Sequence, residues 1–276
     1  MVAYACDSVM AARTAGMGVN AIREILKVVS HPGMISLAGG IPAPESFPIE
    51  ILGQLTEKVL TAYGPAALQY DPTEGFEPLR EALVDYLAAM GIRTTSEKIL
   101  VASGSQGVLN ALGMVLINKA DRVAVEAPTY LGALQAFRPY EPAFVSLETD
   151  DQGLIPEHLE AVLRSGPVKF IYLVPTFQNP TGRTIPLHRR VQIAAIIQKY
   201  NALLVEDDPY SALRYTGDPV ASIYSLAPEN VVYISTMSKV FAPGLRIGFC
   251  LAPKNIRRWL VVAKQGIDLH TSTFNQ

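Results

Sequence analysis

Lys239 lies in "STMSKVFAPGLRIGF", just after the apolar run "VVYI", and Arg246 follows seven positions on. A primary amine at the end of an apolar strand is placed to form a reversible imine and then carry a proton. Alone, it is equally a solvated loop lysine. Three other stretches bear on the choice. "ASGSQGVLN" sets small residues between a strand and a helix, where backbone N–H groups at the helix start can cradle a phosphate. It is neither a Walker A loop nor a G-x-G-x-x-G fingerprint. "VEDDPY" brings Asp207 and Asp208 to a strand end. Consecutive strand residues face opposite ways, so the two need not share a role; a buried aspartate there can hold a proton on a ring nitrogen, and the plainer reading is an aspartate that caps the turn before Pro209. "NPTG" is no glycosylation sequon, because proline fills its middle position, and Asn179 offers a neutral amide donor for a phenolate oxygen.

A phosphate cradle, an acid, an amide and a lysine together describe a site for pyridoxal 5'-phosphate. That cofactor is held as a Schiff base on a lysine, with an acidic partner on its pyridine nitrogen. The hydroxyls of Thr236 and Ser238 and the guanidinium of Arg246 would balance its phosphate.

These residues need a scaffold that brings distant loops together. Apolar runs at 98–102, 122–127, 169–175, 202–208 and 231–235 read as strands, with helices at 106–118, 131–138 and 187–200 between them. In the last helix Leu187, Val191, Ala194 and Ala195 fall on one face. Continuous apolar strands alternating with helices predict an α/β fold, a mostly parallel central sheet with helices on both faces. Ligands of such sheets bind beyond the carboxyl ends of the strands, where the residues above are found. The first fifty residues differ, with a helical "NAIREILKVV" and a Gly/Pro-rich extended "SLAGGIPAPESFP". The expected division is 1–50, an N-terminal helix and connector forming part of a small domain, and 51–276, a large domain.

Composition narrows the partners. The chain has 276 residues, 49% hydrophobic and 17% charged, with net charge -2 and no basic block. That fits a large buried core and argues against nucleic acid or an anionic membrane surface. Cys6 and Cys250 have no ligand-like spacing, which suits a reducing compartment. The start lacks a basic n-region, and no run approaches the ~20 apolar residues of a membrane span, so a cytoplasmic location is expected. His31, His158, His188 and His270 are scattered, and no metal site is expected.

With "SLAGGIP", "LQYDPTEGFEPLR", "NPTG", "DDPY" and "SKVFAPGLRIG" in this order, the chain resembles the fold-type-I pyridoxal phosphate aminotransferases of class I and II. Those acting on 2-aminoadipate, aromatic amino acids or kynurenine look nearest. The resemblance covers almost the whole chain and implies amino transfer between an L-amino acid and a 2-oxo acid such as 2-oxoglutarate, by ping-pong kinetics. It implies Lys239 as the Schiff-base lysine and Asp207 as the partner of the pyridine nitrogen. Tyr210 would join Asn179 at the phenolate oxygen, and Tyr130 would stack on the cofactor. Gly104, Ser105 and Gln106 match the phosphate loop, with Thr236, Ser238 and Arg246. Tyr70 is similar to the tyrosine that reaches a neighbour's phosphate, so a homodimer is expected. Gly39 and Gly40 match the segment beside the substrate, and Arg23 matches an arginine that meets a distal substrate carboxylate, although Asn20 stands where serine is common. No residue matches the arginine that clamps the α-carboxylate. The resemblance therefore implies that the chain is C-terminally truncated and lacks most of a small domain. Two alternatives are a ligand-sensing regulator on the same fold, which would need a basic winged-helix module that the first fifty residues lack, and an inactive fragment.

Overall fold

The computed structural model describes residues 9–18, 33, 35 and 39–276. The strands are β1 (Ile99–Ser103), β2 (Arg122–Glu126), β3 (Ala143–Leu147), β4 (Thr149–Asp150), β5 (Gly153–Leu154), β6 (Phe170–Leu173), β7 (Leu204–Asp207), β8 (Val231–Thr236) and β9 (Ile247–Leu251). The principal helices are α1 (Ile49–Tyr63), α2 (Glu77–Ala89), α3 (Ser105–Leu116), α4 (Leu131–Phe137), α5 (Pro156–Arg164), α6 (Leu187–Lys199), α7 (Ile223–Leu226) and α8 (Lys254–Ile267).

Each of the apolar runs read from the sequence forms a strand. β3 and β9 complete a seven-stranded sheet in the order β1-β9-β8-β7-β6-β2-β3. Among the described residues β3 pairs only with β2, at the sheet edge, and is half exposed, so it carries no continuous apolar run. β9 is fully buried but lies inside "LRIGFCL", where a glycine interrupts the pattern. The β2–β3, β2–β6, β6–β7 and β7–β8 pairs are parallel. β9 runs antiparallel to both β8 and β1, which leaves β1 pointing the same way as the parallel set. All the strand ends that carry the predicted site residues therefore emerge on one edge. The start of the reversed β9, just after Arg246, joins them there.

Alternation along the strands sends their side chains into two cores. Ile99, Val101, Ile171, Leu204 and Phe249 pack against α2, α5, α6 and α7. Leu100, Val123, Tyr172, Val205 and Val232 pack on the opposite face against α3, α4 and α8. Truncating a side chain such as Leu112, fully buried in the second core, to alanine would cost roughly 2–5 kcal/mol.

One sequence reading is corrected. In α6 the buried face is Arg190, Ile193, Ala194 and Ile197, whereas Leu187 and Val191 are exposed. Arg190 takes the inward position because its guanidinium serves buried acceptors. It donates to the carbonyls of Ile185, Pro175 and Ala221 and to the Thr176 hydroxyl, at 2.8–3.1 Å. Apolar periodicity does not anticipate a buried cation of this kind. The predicted helix "NAIREILKVV", with Asn20 and Arg23, lies outside the described residues. Among the described residues, no helix is long and apolar enough to cross a membrane.

Candidate active site

The edge shared by these strand ends holds a cavity of about 170 Å³. Ser105 and Gln106 reach it from β1, Tyr130 from β2, Asn179 from β6, and Asp207 and Tyr210 from β7. Thr236, Ser238 and Lys239 reach it from β8, and Arg246 from the start of β9. The sequence thus nominated a set that the fold brings together from well-separated loops.

The end of the cavity at the start of α3 is built by close approach. Gly104 opens α3 with φ +79°, and a Cβ there would run into the Arg246 guanidinium. A Cβ on Gly248 would sit 2.5 Å from the Gly104 carbonyl carbon and the Ser105 nitrogen, so glycine lets β9 pass tightly beneath the helix start. Arg246, itself at φ +56°, donates to the Ser103 carbonyl at 3.2 Å. The Thr236 hydroxyl donates to the Ile247 carbonyl at 3.0 Å and lies 3.0 Å from the Ser238 hydroxyl. Backbone N–H groups at the start of α3, two hydroxyls and a guanidinium thus converge at one end, a combination suited to an anion.

At the other end Asn179 donates to the Tyr210 hydroxyl at 3.3 Å. Their loops are braced from behind. Gln178 donates to the Pro128 carbonyl at 2.9 Å and accepts from the Thr181 backbone and hydroxyl. Buried Glu126 accepts from the Val174 N–H at 3.0 Å, and burial raises its carboxyl to about 8. Tyr130 and Tyr210 are half-buried, and burial raises both phenols.

Asp207 is 2% exposed. One carboxylate oxygen, Oδ2, accepts from the Tyr172 hydroxyl at 2.7 Å, while Oδ1 is buried with no partner among the described residues. Burial raises this carboxyl to about 7 against the lowering effect of Tyr172, and the neighbouring Asp208 pushes the same way. Lys239 Nζ donates to the Gly40 carbonyl at 2.8 Å. Burial, then the nearby Arg246, lowers its ammonium from the usual lysine value, which favours the neutral nucleophilic amine. Gly40 thus lies beside the lysine, with Gly39 exposed next to it in the connector. Tyr70 does not line the cavity. It is 78% exposed and stands edge-on to His270, ring centroids 5.9 Å apart.

Tyr172, Glu126 and Gln178 were missed in the sequence. A signal existed for the first two: a tyrosine in "KFIYLVP" and a glutamate in "RVAVEA" are polar groups inside apolar strands, and buried polar groups need partners.

A larger cavity of about 450 Å³ opens on the other face of the sheet, lined by Arg190, Asp208, Arg214 and Thr176 among others. Its charges are already engaged. Arg190 makes the bonds given above, and Arg214 lies over the Phe177 ring at 4.7 Å. Asp208 accepts from the Ser211 hydroxyl at 2.6 Å and the Tyr233 hydroxyl at 3.0 Å.

The sequence profile of the family described as "Aminotransferase class I and II" matches residues 35–274. The chain is 46% identical over 268 residues to "Aromatic-amino-acid aminotransferase 1" of Thermococcus litoralis, covering 95% of this chain and 64% of that protein. It is 40% identical to "2-aminoadipate transaminase" of Thermus thermophilus, covering 92% of this chain and 64% of that one. The crystal structure of Pyrococcus horikoshii kynurenine aminotransferase, described as a complex with PMP, kynurenine as substrate and its product, superposes with TM-score 0.92. It shares 41% identity and covers 99% of this chain and 69% of that one. The chain thus spans 64% of the length of those two curated relatives.

Proposed function

The chain belongs to the class I and II aminotransferases, and from that premise we propose that its smaller cavity holds pyridoxal 5'-phosphate and serves amino transfer. The proposed donor is an L-amino acid of the 2-aminoadipate, aromatic or kynurenine type, as the relatives' names suggest. The proposed acceptor is a 2-oxo acid such as 2-oxoglutarate, with ping-pong kinetics. Residues 51–276 would form the cofactor-holding domain, with 1–50 part of a smaller one, and the protein would act in the cytoplasm.

The observation that carries this reading is the orphaned Asp207 Oδ1. A buried carboxylate oxygen without a donor is costly, and a protonated ring nitrogen would supply the donor. The rest of the lining fits the same group. Ser105, Gln106, Thr236, Ser238 and Arg246 would take the phosphate, Asn179 and Tyr210 the phenolate oxygen, and Tyr130 a face of the ring.

When bound, the cofactor supplies an electron sink that stabilises negative charge at the substrate's Cα. Lys239 would provide the covalent anchor and, once displaced by the substrate amine, its Nζ would take the Cα proton. Asp207 would hold its carboxylate charged against the ring nitrogen. Gly39 and Gly40 would leave room for substrate beside Lys239, and Arg23 would meet a distal carboxylate.

A second copy of the chain would complete the site. Helix α1 buries no residue and exposes Ile51, Leu55 and Leu60. The exposed Tyr70 would reach a partner's phosphate.

The test is to add pyridoxal 5'-phosphate, reduce with borohydride and map the peptides, then measure each half-reaction with a panel of amino and 2-oxo acids. A pyridoxyl label on Lys239 and exchange of amino groups are expected. A label elsewhere, or none, removes the reading.

A further inference from the structure

Asp207 has one bonded oxygen and one free oxygen, and a single neighbour accounts for that asymmetry. β6 and β7 are parallel, with Tyr172 opposite Val205 and Leu173 opposite Glu206. Side chains on one face recur every two residues, a rise of about 6.6 Å, so Tyr172 and Asp207 share a face one repeat apart. A tyrosine ring leaning along the strand covers that distance, which brings its hydroxyl level with the carboxylate. The hydroxyl lies 2.7 Å from Oδ2, its only hydrogen-bond partner among the described residues. The ring is fully buried and stands edge-on to Phe137, centroids 6.1 Å apart at 78°. Burial holds the phenol well above its ordinary value, so it remains a donor. The other ionisable groups around Asp207 reach the cavity from the same strand end, Tyr210, and from other elements, Tyr130, Lys239 and Arg246, with Glu126 behind Tyr172 and Asp208 turned to the other face.

We propose that Tyr172 is the positioning residue of this site: its hydroxyl fixes Oδ2, leaves Oδ1 to face the cavity, and favours the charged carboxylate that a cationic ring nitrogen requires. The proposal rests on reading the cavity as the cofactor site, but its first effect is on Asp207 alone. A donor to the ionised form lowers a carboxyl's affinity for its proton, here against the burial that lifts it to about 7.

Tyr172→Phe keeps the ring and removes only the donor. In cofactor-free protein labelled with ¹³C at aspartate side chains, the Asp207 signal is identified by its loss in Asp207→Asn. A hydrogen bond to a charged group is worth about 1.5–3 kcal/mol, so its titration midpoint should rise by about one to two pH units in Tyr172→Phe. Leu112→Ala, a destabilising change in the same core, should leave the midpoint in place. On adding pyridoxal 5'-phosphate, Tyr172→Phe should weaken uptake about tenfold, and in amino transfer it should lower kcat more than it raises KM. An unmoved midpoint, or an equal shift in Leu112→Ala, overturns the proposal, as does unchanged cofactor uptake. A wild-type chain that takes up no cofactor overturns the cofactor reading, while a shifted midpoint would still uphold Tyr172's hold on Asp207.

Discussion

Two acidic residues adjacent in sequence, Asp207 and Asp208, serve opposite faces of one sheet. Asp208 faces the larger cavity and is saturated by Ser211 and Tyr233. Beside it Glu206 accepts from the backbone N–H groups of Ile223 and Tyr224 at 3.0 and 2.7 Å. Asp207 faces the smaller cavity with an oxygen to spare. Cavity size alone would favour the face of Asp208. Unspent hydrogen-bonding capacity favours the other: of the buried side-chain atoms without a partner among the described residues, in Asp71, Thr94, Thr129, Asp207, Arg257 and Thr273, only the Asp207 carboxylate lines that cavity. The larger cavity belongs to a polar network that ties α6, α7 and the β6 and β7 loops together; the smaller is the cavity we propose for the cofactor.

The largest effect that separates the faces should come from Lys239→Ala. On the proposed function the amine is both anchor and proton carrier, so its removal should lower amino transfer by about 10³-fold or more. Thermal stability should change little, because among the described residues the lysine's hydrogen bond is to an exposed carbonyl. Turnover kinetics alongside a melting curve checks this, and a matching loss from any lysine on the other face would dissolve the contrast.

Arg190→Ala should do the reverse. It strands the buried carbonyls of Ile185 and Pro175 and the Thr176 hydroxyl, at a cost of about 3 kcal/mol or more in denaturant unfolding. Cofactor affinity per folded molecule should stay the same.

The cavity-side residues were legible because their chemistry is local in sequence: turns, small residues and a lysine directly after apolar runs. Strands in a common direction then bring the turns together, which made the mostly parallel sheet readable as well. The supporting polar groups of β2 and β6 were legible only as polar residues inside apolar strands, not in what they bind. Arg190 hides in a helix whose apolar pattern suggested Leu187 and Val191 faced inward, and its partners come from three other segments, at Pro175 and Thr176, at Ile185 and at Ala221. Glu126 and Tyr172 acquire roles only through neighbouring strands, and strand order is not visible in a single sequence. β3 and β9 were passed over for a related reason, one lying half exposed at an edge and the other broken by a glycine.

A smaller effect is expected from pH. Burial holds Asp207 and Glu206 at about 7 and Glu126 at about 8, above the ordinary carboxyl values near 4. Each therefore binds its proton more tightly in the folded chain than in the unfolded one. The stability this provides is complete below about pH 4 and is lost as pH rises towards 7–8. Unfolding of cofactor-free protein should show that decline, and Asp207→Asn should flatten part of it. Bound cofactor should flatten the same part by giving Oδ1 its partner. A slope unaffected by Asp207→Asn would mean that this carboxylate is already satisfied.

The most direct measurement compares the two aspartates themselves. Pyridoxal 5'-phosphate is titrated by visible absorbance into wild type, Asp207→Asn and Asp208→Asn, with affinity expressed per folded molecule. Asp207→Asn should bind about tenfold to a hundredfold more weakly, the value of one hydrogen bond to a charged group. Asp208→Asn should bind like wild type while melting at a lower temperature. If Asp208→Asn instead loses the cofactor and Asp207→Asn keeps it, the two faces have been assigned the wrong way round.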